Sequence, residues 1–184
     1  MANLCYTVNE PGHPLHGKTI YDGRYACVTA IVIWKRKDGQ LYLLVNKRGS
    51  GCSTFPGKWN ITCGFMENTE NGAQCAAREV YEECGIKIPA NRFKFYNLET
   101  DPARCFQGHV IIRYIAVLTD EDFENDVIDT SNFSTLGTTG GEENEVADRR
   151  WIRLFYYYNY DWAFDQKTTI EELISDRFAS KHYK

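Results

Sequence analysis

The feature that most limits what this chain can fold into is the run Asn71 to Cys84 (NGAQCAAREVYEEC), closed by Gly85. Asn71 and Gln74 stand three apart, the spacing of a capping box that satisfies orphan amides at a helix start. Gly85 is the residue type that ends a helix in the left-handed conformation. At about 100° per residue, Ala73, Ala76, Ala77, Val80 and Cys84 form an apolar stripe, and Glu79, Glu82 and Glu83 fall on a neighbouring arc of about 100°. The spacing predicts one amphipathic helix whose stripe requires a partner layer. The flanking segments offer a sheet. Ala26 to Trp34 (ACVTAIVIW) is rich in β-branched residues, Lys37-Asp38-Gly39 supplies a turn, and Gln40 to Asn46 completes a hairpin. Arg92 to Leu98, Gly108 to Leu118 (read as buried on both faces) and Arg150 to Phe155 read as further strands, and Thr168 to Phe178 as a terminal helix. Strands broken by one strong helix and closed by another predict an α+β chain, a helix–sheet sandwich.

Composition narrows the function. The 184 residues suit one domain with a real core, and 43% apolar residues exclude a disordered chain. No apolar run approaches the roughly 20 residues that span a bilayer, so no membrane partner is expected. Acids outnumber bases 25 to 21, which argues against binding long nucleic acid. The N-terminus lacks a secretory pattern. The seven cysteines, at 5, 27, 52, 63, 75, 84 and 105, form no C-x-x-C pair, so they read as reduced thiols in a cytoplasmic protein. Residues 1–24 read as an irregular N-terminal extension and 25–184 as a single domain, with an acidic loop or insertion at 119–149. The charge is unevenly spread. Residues 64–86 carry five acids and one base and residues 119–149 ten acids and one base, so the rest of the chain is basic and suits an anionic ligand.

Three carboxylates on one helix face read either as a solvated acidic face or as a cation site: they raise one another's pKa unless a cation sits among them, and a hard divalent ion that also bridges substrate phosphates is the usual answer. The wider segment Gly64 to Ile86 carries Gly64, Glu70, Arg78, Glu79, Val80, Glu82, Glu83, Gly85 and Ile86 at every fixed position of the Nudix box, G-x5-E-x7-R-E-U-x-E-E-x-G-U with U aliphatic. Seven fixed identities at ordinary residue frequencies coincide with a probability on the order of 10⁻⁹ per start position. The chain therefore resembles a Nudix hydrolase. The resemblance implies an α/β/α sandwich around a mixed sheet, with the box as loop, helix and loop. It also implies Mg²⁺ or Mn²⁺ held by Glu79, Glu82, Glu83 and the Gly64 carbonyl, Arg78 orienting the glutamates, and Glu70 supporting Arg78. Members of this family usually recruit another carboxylate from a later loop. Glu142, Glu143 and Glu145 are the candidates here, with Glu143 and Glu145 preferred, and Glu99 is a weaker one.

The resemblance leaves the substrate open, beyond a nucleotide-type small molecule. Pro102 stands 16 residues past the box, a position associated with ADP-ribose pyrophosphatases, and Ala163-Phe164-Asp165-Gln166 resembles members acting on ADP-ribose. A pyrophosphatase for ordinary or oxidised nucleoside triphosphates is an alternative, as is a non-catalytic nucleotide sensor. Trp59-Asn60-Ile61-Thr62-Cys63 also reproduces the Trp-x-x-x-Cys context of isopentenyl diphosphate isomerases, although Phe65 stands where they carry a metal-binding histidine. The aromatic run Phe155 to Trp162 reads as packing, a homodimer contact or a base-stacking surface.

Overall fold

Ten consecutive residue pairs tie β3 (Ala26–Lys35) to β8 (Val110–Thr119) in parallel. A parallel pair cannot be joined by a tight turn, so the chain must cross the sheet between them, and that crossover carries α1 (Gly72–Cys84). β4 (Leu41–Arg48) returns antiparallel to β3 through a turn at Gly39, whose φ is 82°. β7 (Lys94–Glu99) lies antiparallel on β8 at one edge, with a bulge at Tyr96. β9 (Val146–Arg153) pairs with β4, and the short strands β5 (Trp59–Asn60) and β6 (Cys63–Phe65) join β4 and β3. The computed structural model describes residues 5–14, 16–21, 24–133 and 144–178.

The period of two in the strands divides the core between two faces. Val28, Ala30, Val32, Leu44, Ala116 and Leu118 point toward α1 and meet Cys75, Ala76, Val80 and Cys84. Ile31, Ile33, Leu43, Val45, Ile115 and Ile152 point the other way, onto Leu154, Trp162, Ile170 and Leu173, the last two from α3 (Gln166–Leu173). The result is the mixed sheet between two helical layers that the box resemblance implies. The ends of α1 form as the sequence dictates: Asn71 accepts from Ala73 and Gln74, Gln74 accepts from the Asn71 amide, and Gly85 adopts φ 71°.

Several details differ from the sequence reading. Residues 5–7 (β1) and 19–21 (β2) of the stretch read as irregular form a two-stranded sheet of their own. The start of the acidic stretch is α2 (Asp120–Glu124), capped reciprocally by Thr119 and Asp122, and Ile128 behind it is buried. β9 begins four residues before Arg150 because Val146 to Arg149 continue the ladder on β4, and Leu154–Asn159 turn into a 3₁₀ segment instead of extending the strand. In β8, Val117 stays 43% exposed, so that strand is not covered on both faces throughout. The final helix starts at Gln166 and ends in a π turn, Ile174–Phe178. Among the described residues no helix is long and apolar enough to cross a membrane.

Candidate active site

The box helix packs so tightly on β6 that a Cβ at Gly64 would meet Glu79 Oε1 at 2.0 Å. Only glycine lets the carboxylate lie against that backbone. Arg78 gathers the acids around it. Its guanidinium donates to Glu70 (2.7 Å and 3.1 Å), Glu79 Oε1 (2.7 Å), Glu82 Oε2 (2.9 Å) and the Phe65 carbonyl (3.1 Å). The Arg78 pairing holds Glu70 below the usual carboxylate range, and Glu70 in turn raises the Arg78 pKa.

Glu79 and Glu83 are in the opposite condition. Both side chains are buried, and burial pushes Glu79 up to about 7 despite Arg78, with Glu82 and Glu145 adding to the rise. Glu83 rises well above its ordinary value, first through burial and then through Cys63, Glu79 and Glu145; a hydrogen bond from Asn46 opposes the rise. Two buried carboxylates whose negative charge is incompletely relieved are what a cation would stabilise.

Glu145 reaches this place from far along the chain because the backbone of its loop is held. Gly49 and Gly51 donate to the carbonyls of Glu145 (2.7 Å) and Asn144 (3.0 Å), and Asn144 takes φ 66°. A Cβ at Gly49 would meet Asn144 O at 1.9 Å, so a glycine is needed there. Glu142 and Glu143 lie outside the described residues. Glu99 is occupied elsewhere, pairing with Arg104 at 2.7 Å and accepting from two backbone amides. Pro102 sits in the turn after β7.

A cleft of about 290 Å³ opens beside these acids, lined by Cys63, Gly64, Glu145, Arg48, Phe106 and Phe164 among others. Phe55, Phe106 and Phe164 form an edge-to-face triad with centroids 4.9 to 5.8 Å apart. Phe55, Phe164 and Gln107, the neighbour of Phe106, all have φ between 50° and 53°. Left-handed backbone at bulky residues is strained, and three such residues stand in or beside this triad. Arg48 lies over the Phe164 ring at 5.2 Å, steadied by the Thr54 carbonyl at 2.8 Å. The 155–162 run does not line this cleft: Tyr156 and Tyr158 are exposed, and Trp162 is a core residue donating to the Tyr157 carbonyl. Cys63 hydrogen-bonds with Asn60, Gln166 and Cys27, and its bond with Cys27 together with burial raises its thiol pKa strongly.

The donor set fits a hard divalent cation. It is all carboxylate and carbonyl oxygen, Glu79 and Glu83 are buried, and Gly64 borders a cleft that also holds Arg48, an arginine able to meet phosphate. As placed, no three His, Cys, Asp or Glu side chains among the described residues form a finished metal cage. Arg78 holds one oxygen each of Glu79 and Glu82, and Asn46 holds one of Glu83.

Sequence reasoning missed Asn46, Arg48 and the phenylalanine triad as site residues, although it singled out Phe164 within a four-residue resemblance. Asn46 had a readable signal. It follows Leu44 on the inward side of a strand, where a polar residue has to find a partner.

The model of the NUDIX domain matches residues 25–173, and the chain belongs to that family. The NUDIX domain of Shewanella oneidensis NrtR, solved with ADP ribose, superposes with a TM-score of 0.63 at 20% identity, covering 84% of this chain and 89% of that one. A bifunctional NMN adenylyltransferase/ADP ribose pyrophosphatase from Francisella tularensis, solved with AMP and a manganese ion, gives 0.57 at 19% identity, over 84% of this chain and 42% of that one. In sequence, the chain is 27% identical over 134 residues to an isopentenyl-diphosphate Delta-isomerase of Klebsiella pneumoniae, spanning 70% of this chain and 65% of that relative, just under two thirds of its length.

Proposed function

We propose that this protein is a divalent-metal-dependent hydrolase of phosphoric anhydride bonds, acting on a nucleoside diphosphate linked to a second moiety, with ADP-ribose the leading substrate. The observation that carries the reading is that buried Glu79 packs directly against Gly64, which lines one cleft together with Glu145 and Arg48. Glu79, Glu82, Glu83 and the Gly64 carbonyl would hold Mg²⁺ or Mn²⁺, which when bound neutralises phosphate charge and makes water a stronger acid. Arg78 keeps Glu79 and Glu82 pointed at that place. Glu145, anchored through Gly49 and Gly51, accepts the proton of the attacking water. Arg48 meets a non-bridging phosphate oxygen, and the phenylalanine wall seats a planar base and keeps bulk water away. The nucleotide ligands of the two structural relatives support this choice of substrate class. Dimerisation and location in the cytoplasm remain part of the same proposal.

Incubation with Mg²⁺ and a panel of ADP-ribose, dinucleotides and nucleoside triphosphates tests it. Release of a nucleoside monophosphate from ADP-ribose is expected, and no phosphate product from any member, with a folded protein, refutes it. The relative named as an isomerase favours one second reading, because Cys63 lines the cleft in the Trp-x-x-x-Cys context. Cys63→Ala separates the two. A hydrolase keeps most of its turnover; an isomerase that uses the thiol loses it.

A further inference from the structure

Asn46 is almost completely buried, at 1% exposure, on the face of β4 that meets α1. Leu44, two residues earlier on that face, packs into the α1 core as the alternation of the strand requires. A primary amide at the next inward position loses its hydration and has to recover it from protein partners. Asn46 recovers it by donating through Nδ2 to Glu83 Oε2 at 2.6 Å and to Thr62 Oγ1 at 3.3 Å. Thr62 is itself buried and contacts Cys84 Sγ at 3.4 Å, so the amide is braced from the strand side and from the end of the box helix. The bond to Glu83 is short, as expected when the acceptor is a carboxylate.

We infer that Asn46 is a positioning residue for the box: it fixes the side chain of Glu83 through Oε2 and leaves Oε1 as the oxygen presented to a divalent cation. This rests on the metal-binding reading of the box proposed above. The argument is geometric. Glutamate has three side-chain torsions and can occupy several rotamers; a buried donor on an inner strand removes that freedom before any ligand arrives. Arg78 performs the corresponding task for Glu79 and Glu82, but it does not reach Glu83, so the box acids are held from two sides by two different residues.

The test is Mn²⁺ binding to the full chain, followed by calorimetry without substrate, in wild type, Asn46→Leu, Glu83→Gln and the double variant. Leucine fills the same space without a donor. Mn²⁺ affinity is expected to fall about 10- to 100-fold in Asn46→Leu. The double variant should bind no more weakly than Glu83→Gln alone, because Asn46 acts through that carboxylate. With substrate, kcat should fall while KM stays within about threefold. Asn46→Ser, which leaves room for a water, carries the same comparison should the leucine variant not fold. Wild-type Mn²⁺ affinity in a folded Asn46 variant, or additive losses in the double variant, overturns the inference. Absence of Mn²⁺ binding by the wild type instead overturns the metal-binding reading on which it depends.

Discussion

Two sets of carboxylates, Glu79 and Glu83 in the box and Asp120, Asp122 and Asp129 after β8, sit in opposite environments. In the stretch after β8, Asp120 accepts from the Lys37 amide and the Trp34 indole, Asp122 caps α2 and pairs with Arg92 at 2.6 Å, and Asp129 accepts from Ser131. All three are held below the usual carboxylate range, each chiefly by a hydrogen bond. In the box, Glu79 and Glu83 are pushed upward by burial that their partners do not offset. An acid that folding has satisfied serves the fold. One that folding has desolvated and left under-compensated costs stability, and it persists where a ligand supplies the missing charge. Counting acids does not separate the two cases, whereas following each carboxylate to its donors does.

The largest effect that would break this contrast comes from Glu83→Gln. If the raised carboxylate is functional, turnover falls by about a thousandfold, an oxyanion-scale loss of roughly 4 kcal/mol in transition-state stabilisation. The melting temperature should not drop, since a buried charge has been removed. Activity within tenfold of wild type would place Glu83 with the satisfied acids. Next in size is Gly49→Ala. Its Cβ would overlap Asn144 O at 1.9 Å, which forces the Glu145 loop outward while leaving the box untouched. We expect turnover to fall by about 10- to 100-fold with Mn²⁺ affinity changed far less. Equal losses in both would mean that Glu145 serves as a metal ligand and not as the base.

What was legible in the sequence follows the range of the interactions involved. The α1 caps are contacts between neighbours, and Asn71, Gln74 and Gly85 were readable from spacing alone. The hairpin of β3 and β4 was readable because period-two alternation and a Gly39 turn are local too. The box glutamates were readable as a group, but their spacing does not reveal that Glu79 and Glu83 are buried while Arg78 holds Glu82 at the edge. The cleft was least legible. Arg48, Phe106, Glu145 and Phe164 come from four separate segments, and what joins them is strand register and a glycine contact, Gly49 on Asn144, that no local pattern encodes. At the start of the acidic run, Asp120–Glu124 form a short helix whose Asp122 pairs with Arg92, 30 residues away, a contact that composition does not reveal.

A further expected effect is thermal and separates the two sets of carboxylates by sign. Glu79 has an ordinary pKa of 4.5 and is raised to about 7 in the fold, so between those values the native state binds more protons than the unfolded chain. Stability of the metal-free protein therefore falls as pH rises from about 4.5 to 7, by up to roughly 3 kcal/mol from this group. At this chain length that amounts to a drop in Tm of about 5–10 °C. Asp122 is lowered from 3.8, so its contribution is fully present above that pH and is lost only as pH falls below it. Melting curves in chelator from pH 5 to 7.5 should thus slope downward in wild type and more weakly in Glu79→Gln. In Asp122→Asn they should keep the wild-type slope at a uniformly lower Tm. Adding Mg²⁺ should flatten the wild-type curve, because a cation that binds the ionised box compensates the charge that burial penalises. A wild-type curve as flat as that of Glu79→Gln would mean that the buried carboxylate is already compensated within the protein, and the contrast between the two sets of carboxylates would fail.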